Sequence, residues 1–330
     1  MRRFDLSTLL LLLGASALVW AIAAGLCTLV GSTGTIGWPS YEIAKLRLNE
    51  HVLIASLVGA ALSAAGVAYQ AILRNPLADP YLLGASGGAT LAAYAWRLGA
   101  FGGSILAAAV SPQLAAMIGA TAAVAIVLAA AGPRGRLDPV RAILVGVVVN
   151  SVCGALFLLL NALFRDQPGS GGALTYLSGD IQTTASHAQV LISSLIVLTG
   201  WIVLLAMTPL LNVVRLSEDE ALSLGVRVQR ARWTGLITAS IMTAAAVAVS
   251  GPIGFVGLIC PHVARWFVGN DNRRLLPVAT SLGAIGLAVA DAIARGLLRS
   301  DSVGTLIPVG VITALVGGPF VLVILSRMKR

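Results

Sequence analysis

The sequence predicts an all-α polytopic membrane protein of about ten transmembrane helices, and three observations carry that prediction. Hydrophobic types make up 58% of the 330 residues and charged types 11%, with a mean hydropathy of +0.92. A soluble domain carries roughly a quarter charged residues. The apolar residues are gathered into runs of about the 20 residues that a helix needs to cross a bilayer. The lysines and arginines are shared unevenly between alternate loops, as in a chain threaded through a membrane.

Breaks at charges, prolines and glycines delimit ten spans, at 7–30, 52–72, 80–99, 104–131, 140–163, 187–211, 233–250, 252–268, 275–296 and 304–326. The first follows Met1-Arg2-Arg3 and contains Ala21-Ile22-Ala23, features a secretory leader also has. Its apolar run is longer than a leader's, so it reads as an uncleaved first span. Between the second and third spans lies Arg74-Asn75-Pro76-Leu77-Ala78-Asp79-Pro80. Its two prolines stop one helix and start the next, and Gly84, Gly87 and Gly88 then admit close packing. Taken alone, this is a well-made helical hairpin. In the fifth span Asn150, Gly154, Phe157 and Asn161 are offset by 4, 7 and 11, which places all four on one helical face. Two amides on an apolar face fit a pore lining or interhelical hydrogen bonds.

The longest inner loop follows the sixth span. There Ser217 and Glu220 form a capping box, Glu218 and Asp219 sit where a helix dipole favours acids, and Gly225 is a natural stop. A two-turn helix standing outside the membrane is expected, either as a lever that docks on a partner or as a neat connector. The eighth span is short and glycine-broken and ends near Pro261 and His262. A histidine at a helix end, with no other ligand beside it, reads as structural. Asp291, toward the outer end of the ninth span, is the ionisable residue nearest a span centre.

Sixteen of the 22 lysines and arginines lie on the side of the termini and six on the other, while the acids divide seven to six. The positive-inside rule places both termini in the cytoplasm. The formal charge of +9 is thus a matter of topology and not of nucleic-acid binding. Cys27, Cys153 and Cys260 fall in apolar segments and read as packing residues, with no disulfide frame or metal site. No phosphate loop is present, since Gly169-Ser170-Gly171-Gly172 lacks the lysine. The missing acid–base relay counts against an ion-coupled secondary transporter, the alternative from a different class. No catalytic cluster supports an integral membrane enzyme.

The stretches Arg74–Ala89 and Ser250–Arg265 closely resemble the signature segments of bacterial ABC-importer permeases of the FecCD or BtuC type, which serve iron-siderophores, heme and vitamin B12. Ala290-Asp291-Ala292-Ile293-Ala294-Arg295 and Ile307–Phe320 are similar to that family's C-terminal pattern. The resemblance runs from about residue 40 to the end. It implies a BtuC-like type II importer permease fold, with residues 1–330 as one transmembrane domain in the bacterial inner membrane. It further implies a homodimer around a central pathway, two cytoplasmic ATPase subunits that hold ATP and Mg, and a periplasmic substrate-binding protein. The chain itself is then no enzyme and binds no cofactor, and its cargo is a large chelate, with heme favoured over siderophore and cobalamin. The resemblance makes Ser217, Glu218, Asp219, Glu220, Ala221, Leu224 and Gly225 the helix that couples to the ATPase. It makes Arg47 and Arg295 contacts for the binding protein. Where the family has a pattern like Arg-Leu-Pro-Arg, this chain has Arg47-Leu48-Asn49-Glu50, so one contact is replaced by an acid and Arg299 is the expected substitute. The fifth and tenth spans line the pathway in this family, which assigns Asn150, Gly154, Phe157, Asn161, Thr305 and Thr313 to its wall.

Overall fold

The computed structural model describes residues 6–31, 37–99, 111–132, 138–164, 179–181, 187–216, 218–223, 225, 227–297 and 307–328. In chain order the helices are α1 (Leu6–Thr28), α2 (Tyr41–Arg47), α3 (Leu53–Ile72), α4 (Ala85–Arg97), α5 (Pro112–Ala131), α6 (Pro139–Leu163) and α7 (His187–Val214). They continue with α8 (Glu218–Ser223), α9 (Val228–Ser250), α10 (Val256–Val268), α11 (Asn272–Leu297) and α12 (Val309–Met328). A π-helical turn at Leu48–Val52 joins α2 to α3, and a 3-10 turn at Pro80–Leu83 precedes α4. With α2 and α8 set aside, the ten helices fall on the ten expected spans.

The starts are dictated locally. Ser111 Oγ accepts the Leu114 amide at 3.2 Å, and Asp138 Oδ1 accepts the Val140 amide at 2.9 Å, each with proline in the first turn behind it. Among the described residues, eight apolar helices are long enough to span a bilayer. The other two, α4 and α10, have 13 residues each, or about 20 Å of rise against a hydrocarbon core of about 30 Å. Non-helical backbone therefore has to complete both crossings. That is tolerated only where protein groups satisfy its amides and carbonyls.

The core forms around α3. In its apolar window 83% of residues are buried, against 11% for α6 and 6% for α1. Lipid supplies no hydrophobic drive between helices, so packing depends on close approach and polar links. No room exists for a Cβ at Gly66 against the carbonyl of Gly257, nor at Gly59 against that of Gly283. These contacts bring α3 against α10 and α11. Ser63 Oγ donates to Ala279 O at 2.7 Å, Tyr69 and Ser240 share a hydroxyl bond at 2.7 Å, and Trp20 Nε1 donates to Ser56 Oγ at 2.9 Å. α3 is thereby tied to α11, α9 and α1. The three cysteines are free.

Candidate functional site

The C-terminal end of α7 is linked to two distant parts of the chain. Helix α8 follows it after one short loop. Ala221 is fully buried with Val214, Val228 and Ala231 in a small cluster of its own. Gly225 adopts φ +72, the left-handed geometry expected of the stop residue. The terminal carbonyls of α7 are capped from another part of the chain. Arg74 Nε donates to Val214 O at 3.0 Å, and Arg74 Nη2 donates to Leu216 O. Arg74 itself has φ +48. It sits just past the end of α3, where a glycine is usual, and the left-handed backbone costs about 1–2 kcal/mol for a residue with a Cβ. A second link comes from the turn between α10 and α11. Asn212 Nδ2 donates to Asp271 Oδ1 at 2.7 Å, Asn212 Oδ1 accepts the Asn272 amide at 2.9 Å, and Arg215 Nη1 donates to Asn270 O at 2.8 Å.

From Arg74 the chain runs through a tight turn, in which Asn75 Oδ1 accepts the Leu77 amide at 2.9 Å, to Asp79. Asp79 is buried and serves both short helices. Its Oδ1 accepts the Tyr81 amide at 3.0 Å, at the head of the 3-10 turn before α4. Its Oδ2 accepts the Phe255 amide at 3.0 Å, at the head of α10. Phe255 has φ +69, a strained backbone for an aromatic residue. The carboxylate thus satisfies the irregular backbone that the two short helices require. Beside it, Gln70 Nε2 donates to Gly257 O at 3.3 Å.

Several sequence-based assignments need correction. Asn150 and Asn161 are half-buried and Phe157 is buried. Asn150 Nδ2 donates to Tyr81 O at 2.7 Å, and its Oδ1 accepts the Gly87 amide at 3.0 Å. Tyr94 Oη donates to Asn161 Oδ1 at 2.7 Å, and Phe157 is buried with its ring 4.5 Å from that of Tyr94. Their shared face meets α4 and the turn before it and makes the interhelical hydrogen bonds that two amides on an apolar face can make. A Cβ at Gly154 would meet nothing within 4 Å. Thr313 is buried and donates to Gly310 O at 3.0 Å within its own helix. Arg295 presents no charge outward. It is 1% exposed, pairs through Nε with Asp291 Oδ2 at 2.8 Å, and donates through Nη1 to Val30 O at 3.1 Å. Helix α11 continues past Arg295 to Leu297, which draws the side chain into the bundle. Arg47 is half-buried and donates to Thr28 O at 2.9 Å. His262 stands edge-on to Trp266 and Phe320, with centroids 5.8 Å apart in each case, as a structural histidine does. Ser217, Leu224, Arg299 and Thr305 lie outside the described residues. Among the described residues no group of three or more His, Cys, Asp or Glu forms a metal site.

Arg74 and Asp79 were the residues that sequence reasoning missed. Their one local signal is the pair of prolines around Asp79; the partners are distant in sequence.

A model of the FecCD transport family matches residues 8–327. The chain belongs to the FecCD transport family. This FecCD permease is 36% identical over 303 residues to the ABC transporter permease protein YvrB of Bacillus subtilis, covering 91% of this chain and 84% of the relative. It is 37% identical to the hemin transport system permease protein HmuU of Yersinia pestis, over 84% of this chain and 81% of that one. It is 39% identical to the cobalamin import system permease protein BtuC of Halobacterium salinarum, over 86% and 73%. A solved metal-chelate type ABC transporter in an inward-facing conformation superposes with a TM-score of 0.79 at 27% identity, covering 96% of this chain and 99% of that one. The FecCD chain is therefore a multi-pass permease of the ABC importer type that serves metal chelates, heme or cobalamin.

Proposed function

We propose that this FecCD permease carries heme inward across a bacterial inner membrane, with both termini in the cytoplasm. Two copies surround the pathway, two cytoplasmic ATPase subunits hold ATP and Mg, and a periplasmic binding protein delivers the cargo. The chain itself holds no cofactor.

The observation that carries this reading is α8. A six-residue helix is far below the length that persists in water by itself. It is held by the burial of Ala221 and by the root that Arg74 caps. A helix so seated suits a fitting for the ATPase, with residues 217–225 as the coupling segment. The apolar faces that α6 and α12 leave exposed, at Leu144, Val148, Leu159, Leu315 and Leu322, are where the second copy and the cargo are placed. A wall of that kind suits a large, partly apolar chelate that must be released. The likeness to the hemin permease supports heme, and the likeness to the cobalamin permease marks the chief rival cargo.

Titration of the cognate binding protein tests the cargo. Heme is expected to bind at least about 100-fold more tightly than ferric siderophores or cobalamin; the reverse preference overturns heme. The purified chain alone is expected to hydrolyse no ATP, and a Glu218→Arg/Asp219→Arg variant to lose the ability to stimulate the ATPase. Normal stimulation by that variant overturns the role given to α8.

A further inference from the structure

The turn at residues 74–83 touches the root of α8, the head of α10 and Asn150 on α6, and it reaches α12 only through Phe255. On the inner side, the Arg74 guanidinium holds the last carbonyl of α7, Val214 O, and Leu216 O in the connection ahead of α8. On the other side the turn branches. Tyr81 O accepts from Asn150 Nδ2 on α6 at 2.7 Å. Asp79 Oδ2 accepts from the Phe255 amide at 3.0 Å. The Phe255 ring fills the space beside Gly317 on α12, where a Cβ would overlap it. The links from Arg74 to Leu216, from the turn to Asn150 and Phe255, and from Phe255 to Gly317 are each a hydrogen bond or a close contact. The strained joint is Phe255, whose left-handed backbone donates its amide to the Asp79 carboxylate while its carbonyl accepts the Leu258 and Ile259 amides at 3.1 and 2.8 Å.

We infer that this turn is the linkage by which displacement of α8 reaches α6 and α12, with Arg74 and Asp79 as positioning residues at its two ends. The inference rests on the importer reading and deepens it. Energetic coupling between two sites needs a physical element that both bias, and contiguity alone does not establish one. The Arg74 end is moved by whatever moves α8. The Asp79 end decides whether the Phe255 amide, and with it the ring against Gly317, keeps its place.

The test reads α12 directly and needs no cargo. The permease, in complex with its ATPase subunits in lipid nanodiscs and with its native cysteines replaced by alanine, carries a nitroxide at Leu315→Cys, a site 66% exposed on α12. Spectra are compared without nucleotide and with ATP plus orthovanadate. The otherwise wild-type complex is expected to show a nucleotide-dependent change. Arg74→Gln and Asp79→Asn are each expected to reduce that change at least about fivefold, while ATP hydrolysis by the Asp79→Asn complex stays within about twofold. The double variant is expected to lose no more than the larger single loss, because both interrupt one line. Phe255→Gly keeps the backbone geometry and removes the ring, so it is expected to lose the response as Asp79→Asn does. A full response in either single variant overturns the linkage, as do additive losses. In the Asp79→Asn complex, a fall in hydrolysis proportional to the fall in response also overturns it, by reducing the effect to damaged assembly. Should Arg74→Gln fail to assemble, Asp79→Asn still decides. A wild-type complex that binds no ATPase subunit overturns the importer reading and the linkage with it. A responsive wild type with equally responsive variants overturns the linkage alone.

Discussion

Arginines close a helix C-terminus at both ends of this molecule, in opposite surroundings. At the outer end, Arg47 holds Thr28 O and Arg295 holds Val30 O at the end of α1. At the inner end, Arg74 holds Val214 O and Leu216 O at the end of α7. A cation favours the carbonyl end of a helix in either place. Arg295, however, is buried and paired with a buried Asp291, and His51 Nδ1 lies 3.9 Å from the same carboxylate. Arg74 is exposed and bonded to backbone carbonyls. Separating a buried pair leaves an uncompensated charge, whereas water replaces a carbonyl at an exposed guanidinium at little cost. The outer closure is thus suited to stay shut and the inner one to open and reclose, as the coupling role proposed for α8 requires.

The largest expected effect comes from breaking the outer closure. Asp291→Ala strands Arg295 in the bundle and is expected to destabilise the permease by about 3–5 kcal/mol. Asp291→Leu/Arg295→Met removes both charges and is expected to recover most of that loss. Thermal unfolding in detergent checks both. A single variant as stable as the double would mean that Arg295 finds water, and the contrast between the ends would fail.

A smaller effect is expected on α6. Asn150→Ala breaks the bonds to Tyr81 O and the Gly87 amide, at about 1–3 kcal/mol. The loss should appear in stability, with the order of preference among cargoes unchanged. A changed preference at normal stability would return Asn150 to the pathway wall. Smaller again is Arg74→Gln, which is expected to cost about 1 kcal/mol of stability, because its guanidinium is exposed. Equal losses in Arg74→Gln and Asp291→Ala would erase the distinction between a reversible and a fixed closure.

The spans were legible because each is an apolar run closed by proline, glycine or charge, and those are local properties. The stop at Gly225 was legible for the same reason. The amides of α6 were half legible: offsets of 4, 7 and 11 fix a common face but not what the face meets, and α4 meets it. Arg295 was given an outward role by the family resemblance alone, whereas the structure buries it. Its partner was nonetheless in reach, since Asp291 lies four residues earlier on the same helix. The bond from Asp79 to Phe255 joins residues 176 apart in sequence. No local pattern announces a contact of that range; it follows from two helices too short to cross alone.

The smallest expected effect belongs to Arg47. It caps α1 as Arg295 does, but it is half-buried and bonded to a carbonyl. Arg47→Gln is expected to lose about 0.3–1 kcal/mol, the range for a cation at a helix C-terminus near water, and that loss should shrink as salt is raised. Asp291→Ala should show little salt dependence, because buried charges are poorly screened. Unfolding at low and high ionic strength therefore separates the two arginines of the outer end from each other. A salt-insensitive loss above about 3 kcal/mol in Arg47→Gln would place it inside the buried cluster with Arg295. The outer closure would then be a two-arginine clamp, with Arg47 bearing on the α1 carbonyls as firmly as its buried neighbour.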